Sequence, residues 1–193
     1  MFDDQQRPEE EPAADATARL AERRAAVSAA VELLSGVEGV LWQGGTEELT
    51  ALMDDLGVLV ARADAARVAV AAEAQTRGVV AESTAASTAQ WVAAHSPHPD
   101  TTEGHRIARL AAASTKADNQ TLTRALRAGQ VSLACADKAL KEAQKVAPLV
   151  PTASRAEVLG WFLDVAQSGG RKEMDRLSTW VIGRFGGDQL EHD

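Results

Sequence analysis

Leu126-Arg-Ala-Gly-Gln-Val-Ser132 joins two helices by a corner that can be read residue by residue. Gly129 is a helix stop, because glycine enters the left-handed backbone of a closing turn without a Cβ penalty. Ser132 is a helix start, because a serine oxygen accepts from the orphan amides of a first turn. Only Gln130 and Val131 stand between the two signals, so the flanking helices must cross sharply, as in a helix-turn-helix.

The same punctuation recurs in both directions. Upstream, Ser87-Thr-Ala-Gln90 has the spacing of a capping box and opens a helix expected to bury Trp91. After the Pro-rich turn His95-Ser-Pro-His-Pro-Asp100, the pair Asp100 and Glu103 opens a helix with Ile107 and Leu110 inward and His105, Arg106 and Arg109 outward. Ala117 to Ala128 is the next helix, and Leu133 to Ala147 follows the corner until Pro148 and Pro151 stop it. Ser154 and Glu157 open a helix with Val158, Trp161, Phe162 and Val165 inward. Gly169-Gly170 breaks it, and Arg171 to Arg184 offers Met174, Leu177, Trp180 and Val181 to the core. Toward the N-terminus, Asp15 to Leu34 repeats Leu20, Val27, Val31 and Leu34 at helical spacing. Val37 to Gly45 is a Gly-rich linker in which Trp42 is expected to be exposed or to cover the core edge.

Thr46 then caps the longest helix, with Glu47 and Glu48 at its positive end. Leu49, Leu52, Met53, Leu56, Leu59, Val60, Ala63 and Val70 line it down to Gly78. At about 30 residues it is about 45 Å long, the length of a bundle spine or a dimer seam.

These elements predict an all-α fold, a bundle of about eight helices with one long spine and helix-turn-helix-like pairs. No period-two strand pattern competes with it, and with aromatics at 4% and no Tyr the core must be built of close-packed aliphatic helices. Residues 1–14, acidic and with two prolines, are expected to form a disordered arm, 15–187 a single helical domain and 188–193 an acidic tail. The lone Cys135 can form no intrachain disulfide, no secretory signal is visible, and charged residues interrupt every apolar run. The expectation is a soluble cytoplasmic protein that touches no membrane.

The formal net charge of −8 excludes indiscriminate polyanion binding, yet it is unevenly laid out. Residues 1–100 hold seven Lys/Arg against seventeen Asp/Glu, whereas residues 101–187 hold thirteen against eight. Within the second stretch Lys138, Lys141 and Lys145 share one helix face at i, i+3 and i+7, with Arg124 and Arg127 approaching from the preceding helix. Gln130 and Ser132 at the corner add neutral hydrogen-bonding groups. Together these seven residues are the candidate contacts to a double-stranded DNA backbone, and the same pattern also fits a solvated basic face.

Chemistry of other kinds has no visible carrier. The chain holds no H-E-x-x-H, G-x-S-x-G, Walker A or G-x-G-x-x-G motif. His95 and His98 lack the Cys, Asp or Glu that would complete a zinc set, Cys135 has no C-x-x-C partner, and Asp54-Asp55 are adjacent on a helix and so diverge. No catalytic residue, metal site or cofactor is expected.

Taken together, Ser87-Thr-Ala-Gln-Trp-Val-Ala, the basic helix after it and Leu126-Arg-Ala-Gly-Gln-Val-Ser-Leu-Ala-Cys-Ala136 resemble the actinobacterial domain-of-unknown-function family 222, also called the thirteen-E-twelve repeat family. The resemblance covers about Leu49 to Gly187. It implies an all-helical domain placed N-terminal to an HNH endonuclease module, with a DNA-associated role and no defined substrate. The histidines here, His95, His98, His105 and His192, are not arranged as an HNH centre, so the cleavage module is expected to lie outside this chain or to be absent from its gene. Two readings of function follow: a noncatalytic DNA-associated domain that positions or regulates an HNH nuclease, or a protein-interaction module, with a homodimer through the helix from Thr46, that touches no DNA.

Overall fold

A computed structural model describes residues 10–98 and 100–186. Among these residues there is no strand, and the architecture is all-α. The helices are α1 (Glu10–Ser35), α2 (Thr46–Thr76), α3 (Val79–Glu82), α4 (Thr88–Ala94), α5 (Thr101–Ser114), α6 (Gln120–Arg127), α7 (Leu133–Val146), α8 (Arg155–Ser168) and α9 (Arg171–Phe185). Among the described residues no single helix is long and apolar enough to cross a membrane.

The caps explain where the helices begin. Ser132 Oγ accepts from the Cys135 amide at 3.2 Å, and Asp100 Oδ1 accepts from Thr102 at 2.8 Å. Ser154 forms a reciprocal capping box with Glu157, whose carboxylate accepts from the Ser154 amide at 2.7 Å. Hydrogen bonds from the Ser154 amide and hydroxyl hold the Glu157 carboxyl below its ordinary value. At α4 the box is shifted by one residue: Ser87 Oγ accepts from Gln90, but the Gln90 side chain accepts from the Ala86 amide at 2.7 Å. The segment expected as one helix from Ala117 begins as a 3-10 turn, Ala117–Asn119, before α6.

Two compact units divide the chain, Met1–Met53 and Asp54–Asp193, where a single domain over 15–187 is expected. The first comprises α1, two 3-10 turns at Val37–Gly39 and Leu41–Gln43, and the start of α2. It has no buried side chain among its described residues. Trp42 is exposed there and donates Nε1–H to the Gly39 carbonyl at 3.0 Å. Of the arm expected over 1–14, residues 10–14 are the first turn of α1, where Pro12 lacks only an amide that has no intrahelical acceptor; residues 1–9 and the tail 188–193 lie outside the described residues.

In the second unit α7 is the hub, packing against α5, α6, α8 and α9, while α4 packs on α5. Its core combines small residues (Ala111, Ala136, Ala139, Ala143) with Ile107, Leu110, Leu122, Leu159, Phe162 and Met174, all buried. Small residues let helix axes approach closely, and the larger ones fill the space between them. Two tryptophans expected inward are not: Trp161 is 39% and Trp180 62% exposed. On α8 the buried positions are Val158, Leu159, Phe162 and Leu163, and at 100° per residue Trp161 falls well outside that arc. On α9 Met174, Ser178 and Val181 define the arc, and Trp180 lies off it, packed edge-on to Phe185 with centroids 6.3 Å apart. Trp91 is half-buried against the core.

Helices α4 and α5 meet at Gly104, where an added Cβ would lie 2.5 Å from the Ala89 carbonyl oxygen. Gly104→Ala should therefore destabilise the protein by about 1 kcal/mol, the overpacking outweighing the gain in helix propensity. Gly160→Ala, in α8 with open space around it, should stabilise by about 0.5–1 kcal/mol instead. Opposite shifts in urea midpoint are the check, and two stabilising changes would contradict the close approach.

Candidate nucleic-acid interface

The corner between α6 and α7 is built as its sequence predicts. Gly129 has φ +69°, its amide donates to the Leu126 carbonyl at 2.9 Å, and the Gln130 amide donates to the Ala125 carbonyl at 3.0 Å. That pair of bonds is a Schellman closure, which satisfies the last carbonyls of α6. Val131 is buried beneath the turn, fixing the entry to α7, whose first amides Ser132 then caps. Gln130 is exposed on the same turn.

The five expected cations divide into two groups. Arg124 and Arg127 lie in the last turn of α6, exposed, where positive charge complements the negative helix end. Neither has a carboxylate partner among the described residues. Arg62 of α2 joins them by donating a guanidinium N–H to the Arg127 carbonyl, so three arginines gather at one helix terminus. Nothing in the sequence marks Arg62 for this position, since it stands 65 residues from its acceptor.

The three lysines are each answered by an acid. Lys138, largely buried along its stem, is paired with Asp175 of α9. Lys141 bonds Asp137 at 2.8 Å, and Lys145 lies 4.0 Å from Glu142. Asp137 also takes two hydrogen bonds from Arg109 of α5, at 2.8 and 3.0 Å. Burial alone would raise the Asp137 carboxyl, but the hydrogen bonds from Arg109 and Lys141 outweigh it and leave the group below its ordinary value. Arg109, exposed as expected, also ties α5 to α7, whereas Arg106 buries its Nε without a partner among the described residues.

A second ionic knot joins α2 to α5. Arg67 donates to both Glu103 oxygens, at 2.8 and 3.2 Å, and to Ser96 Oγ at 3.2 Å, with Asp64 at 3.6 Å. Desolvation raises the Asp64 carboxyl despite the attraction of Arg67, and the bond from Arg67 to Glu103 raises the guanidinium.

The cleft beside Arg127, lined by Ala65, Val68, Glu73, Thr115 and Thr123, sets one acid among apolar and hydroxyl groups with no base opposite it. Among the described residues no group of three or more His, Cys, Asp or Glu could hold a metal. His95 closes α4, its Nδ1 2.8 Å from the Trp91 carbonyl and its ring centroid 4.5 Å from that of Trp91. Cys135 is half-buried against the core. Compared with family models, curated proteins and solved structures, the chain matches none.

Proposed function

We propose that this chain is a noncatalytic, DNA-associated helical domain that positions or regulates an HNH endonuclease module, in line with its resemblance to family 222. The observation that supports the reading is the pair Arg124 and Arg127, exposed beside a rigid corner without carboxylate partners among the described residues. A guanidinium held in this way gains a phosphate without first giving up an acid. Lys141 and Lys145 can join at little cost, because exposed ion pairs contribute only about 0–1 kcal/mol. Lys138 is committed to Asp175 and takes no part.

Duplex binding should then be weak and strongly salt-dependent, measured by fluorescence anisotropy of a labelled oligonucleotide across a salt series. Arg124→Ala with Arg127→Ala should flatten the log–log salt slope by about 1.8, at about 0.9 per phosphate contact. Lys138→Ala should leave the slope unchanged. Absence of binding at low salt, or a slope indifferent to both arginines, would discard the DNA reading in favour of a protein-interaction module.

A further inference from the structure

Where α2 passes the ends of α5 and α6 it leaves a cleft of about 200 Å³. The floor is one face of α2, with Ala65, Val68, Ala69 and Ala72 at helical spacing, joined by Leu126 of α6. Alanines in place of longer side chains leave the hollow. Its volume lies below the roughly 300–1,000 Å³ of sites for drug-sized ligands, so it suits a molecule of about the size of one amino acid.

The polar groups of the lining differ in what they can still offer. Thr76 gives its hydroxyl hydrogen to the Ala72 carbonyl at 2.9 Å, Ser114 to Ala111 at 2.8 Å, Thr115 to Ala112 at 3.0 Å and Thr123 to Asn119 at 3.3 Å. A hydroxyl has one hydrogen, so all four present only lone pairs to a ligand. Ser114 and Thr115 also stand at the C-terminal end of α5, and Leu126 and Arg127 at that of α6, where both helix dipoles are negative. Glu73 adds a carboxylate whose ion pair with Arg77 is 4.0 Å long and exposed on both sides, and so contributes little. Acceptors beside negative helix ends call for an ammonium group. Arg127, the cation of the lining, has no carboxylate partner among the described residues and calls for a carboxylate. One acid and one cation leave the lining neutral, which matches a zwitterion and disfavours a phosphate or a polyamine.

We propose that this cleft binds a free α-amino acid with an aliphatic side chain. Its ammonium hydrogens go to Glu73 and the hydroxyl oxygens, its carboxylate to Arg127, and its side chain lies on the alanine floor. Arg127 cannot hold a carboxylate and a phosphate at once, so this ligand competes with the duplex contact proposed above. The site itself does not rest on that reading.

An amide NMR titration of the full chain with L-leucine tests the site without DNA. Leucine should bind with a dissociation constant of about 1 mM or below, and leucinamide and N-acetyl-leucine, which each lack one of the two charges, at least about tenfold more weakly. Arg127→Ala and Glu73→Gln should each weaken leucine about tenfold, while Arg124→Ala, outside the lining, should leave leucine affinity unchanged. Ala69 is exposed in the cleft and not packed on the core, so Ala69→Leu should fill the hollow and abolish binding with an unchanged urea midpoint. No shifts with leucine up to about 10 mM, either analogue binding as tightly as leucine, or binding indifferent to Ala69→Leu would each overturn the proposal. Arg124→Ala keeps the two readings apart, since it bears on the salt slope of duplex binding and not on leucine.

Discussion

Phe162→Ala should lower the unfolding free energy by about 3–5 kcal/mol, a large part of what a domain of this size possesses. Phe162 is the one aromatic ring that is fully buried among the described residues, in a core otherwise made of Ala, Leu, Val, Ile and Met. Removing it takes away the transfer free energy of the ring and leaves a cavity lined by helices. Those helices already touch through alanines, so they have little room to collapse inward. Its neighbour in sequence is the control: Trp161→Ala deletes a larger side chain, but one lying off the buried arc of α8, and should cost about 0.5–1 kcal/mol. Urea unfolding with an unchanged m-value measures both. Equal costs for the two variants would mean that α8 is rotated relative to the packing described above.

That contrast shows where sequence reading succeeds and where it stops. Helix starts were legible because a cap is a local event: Ser132, Ser154, Asp100 and Ser87 each meet an amide two or three residues away. Gly129 was legible for the same reason, since a left-handed residue closes a turn within its own five neighbours. Which side of a helix faces inward depends instead on the elements around it. For Trp161 and Trp180 the expectation that large aromatic rings seek the core proved wrong, because Leu159 and Leu163 on α8, about 160° from Trp161, and Met174 and Val181 on α9, about 100–120° from Trp180, already define the buried arcs.

The candidate interface divides along the same line. That Lys138, Lys141 and Lys145 share a face follows from spacing. That two of them have acids on their own helix, Asp137 four residues before Lys141 and Glu142 three before Lys145, is also readable from spacing. The pairing of Lys138 with Asp175, 37 residues away, and the arrival of Arg62 at the end of α6 are tertiary facts with no local sign. They favour the arginines of α6 over the lysines of α7 as the candidate contacts.

Asp137→Asn should destabilise the protein by about 2 kcal/mol at pH 7, and the difference from wild type should fade in acid. Asp137 is 8% exposed and accepts three charge-assisted hydrogen bonds, two from Arg109 and one from Lys141, so it fastens α5 to α7 at the hub of the unit. Neutralising it leaves two cations facing an amide that accepts less strongly and brings donors of its own. Both cations are about half exposed and regain water, which keeps the cost below that of a fully buried broken pair. The sign of the pH dependence follows from the depressed carboxyl. The folded state holds the charged form more tightly than the unfolded chain, so the contribution is complete above the unfolded carboxylate value of about 4 and is lost as pH falls through the lower folded value. Asp64 makes the opposite case. Desolvation raises its carboxyl, so its ionised form is a net cost above the folded value, and Asp64→Asn should be neutral or stabilising at pH 7 by up to about 1 kcal/mol. Thermal unfolding of the wild type and both variants between pH 3 and pH 7 separates them: the Asp137→Asn curve should converge on wild type from below as pH falls, and the Asp64→Asn curve from above. Two curves converging from the same side would contradict the assignment of Asp137 as the bonded anion of the hub and Asp64 as the desolvated one at its edge.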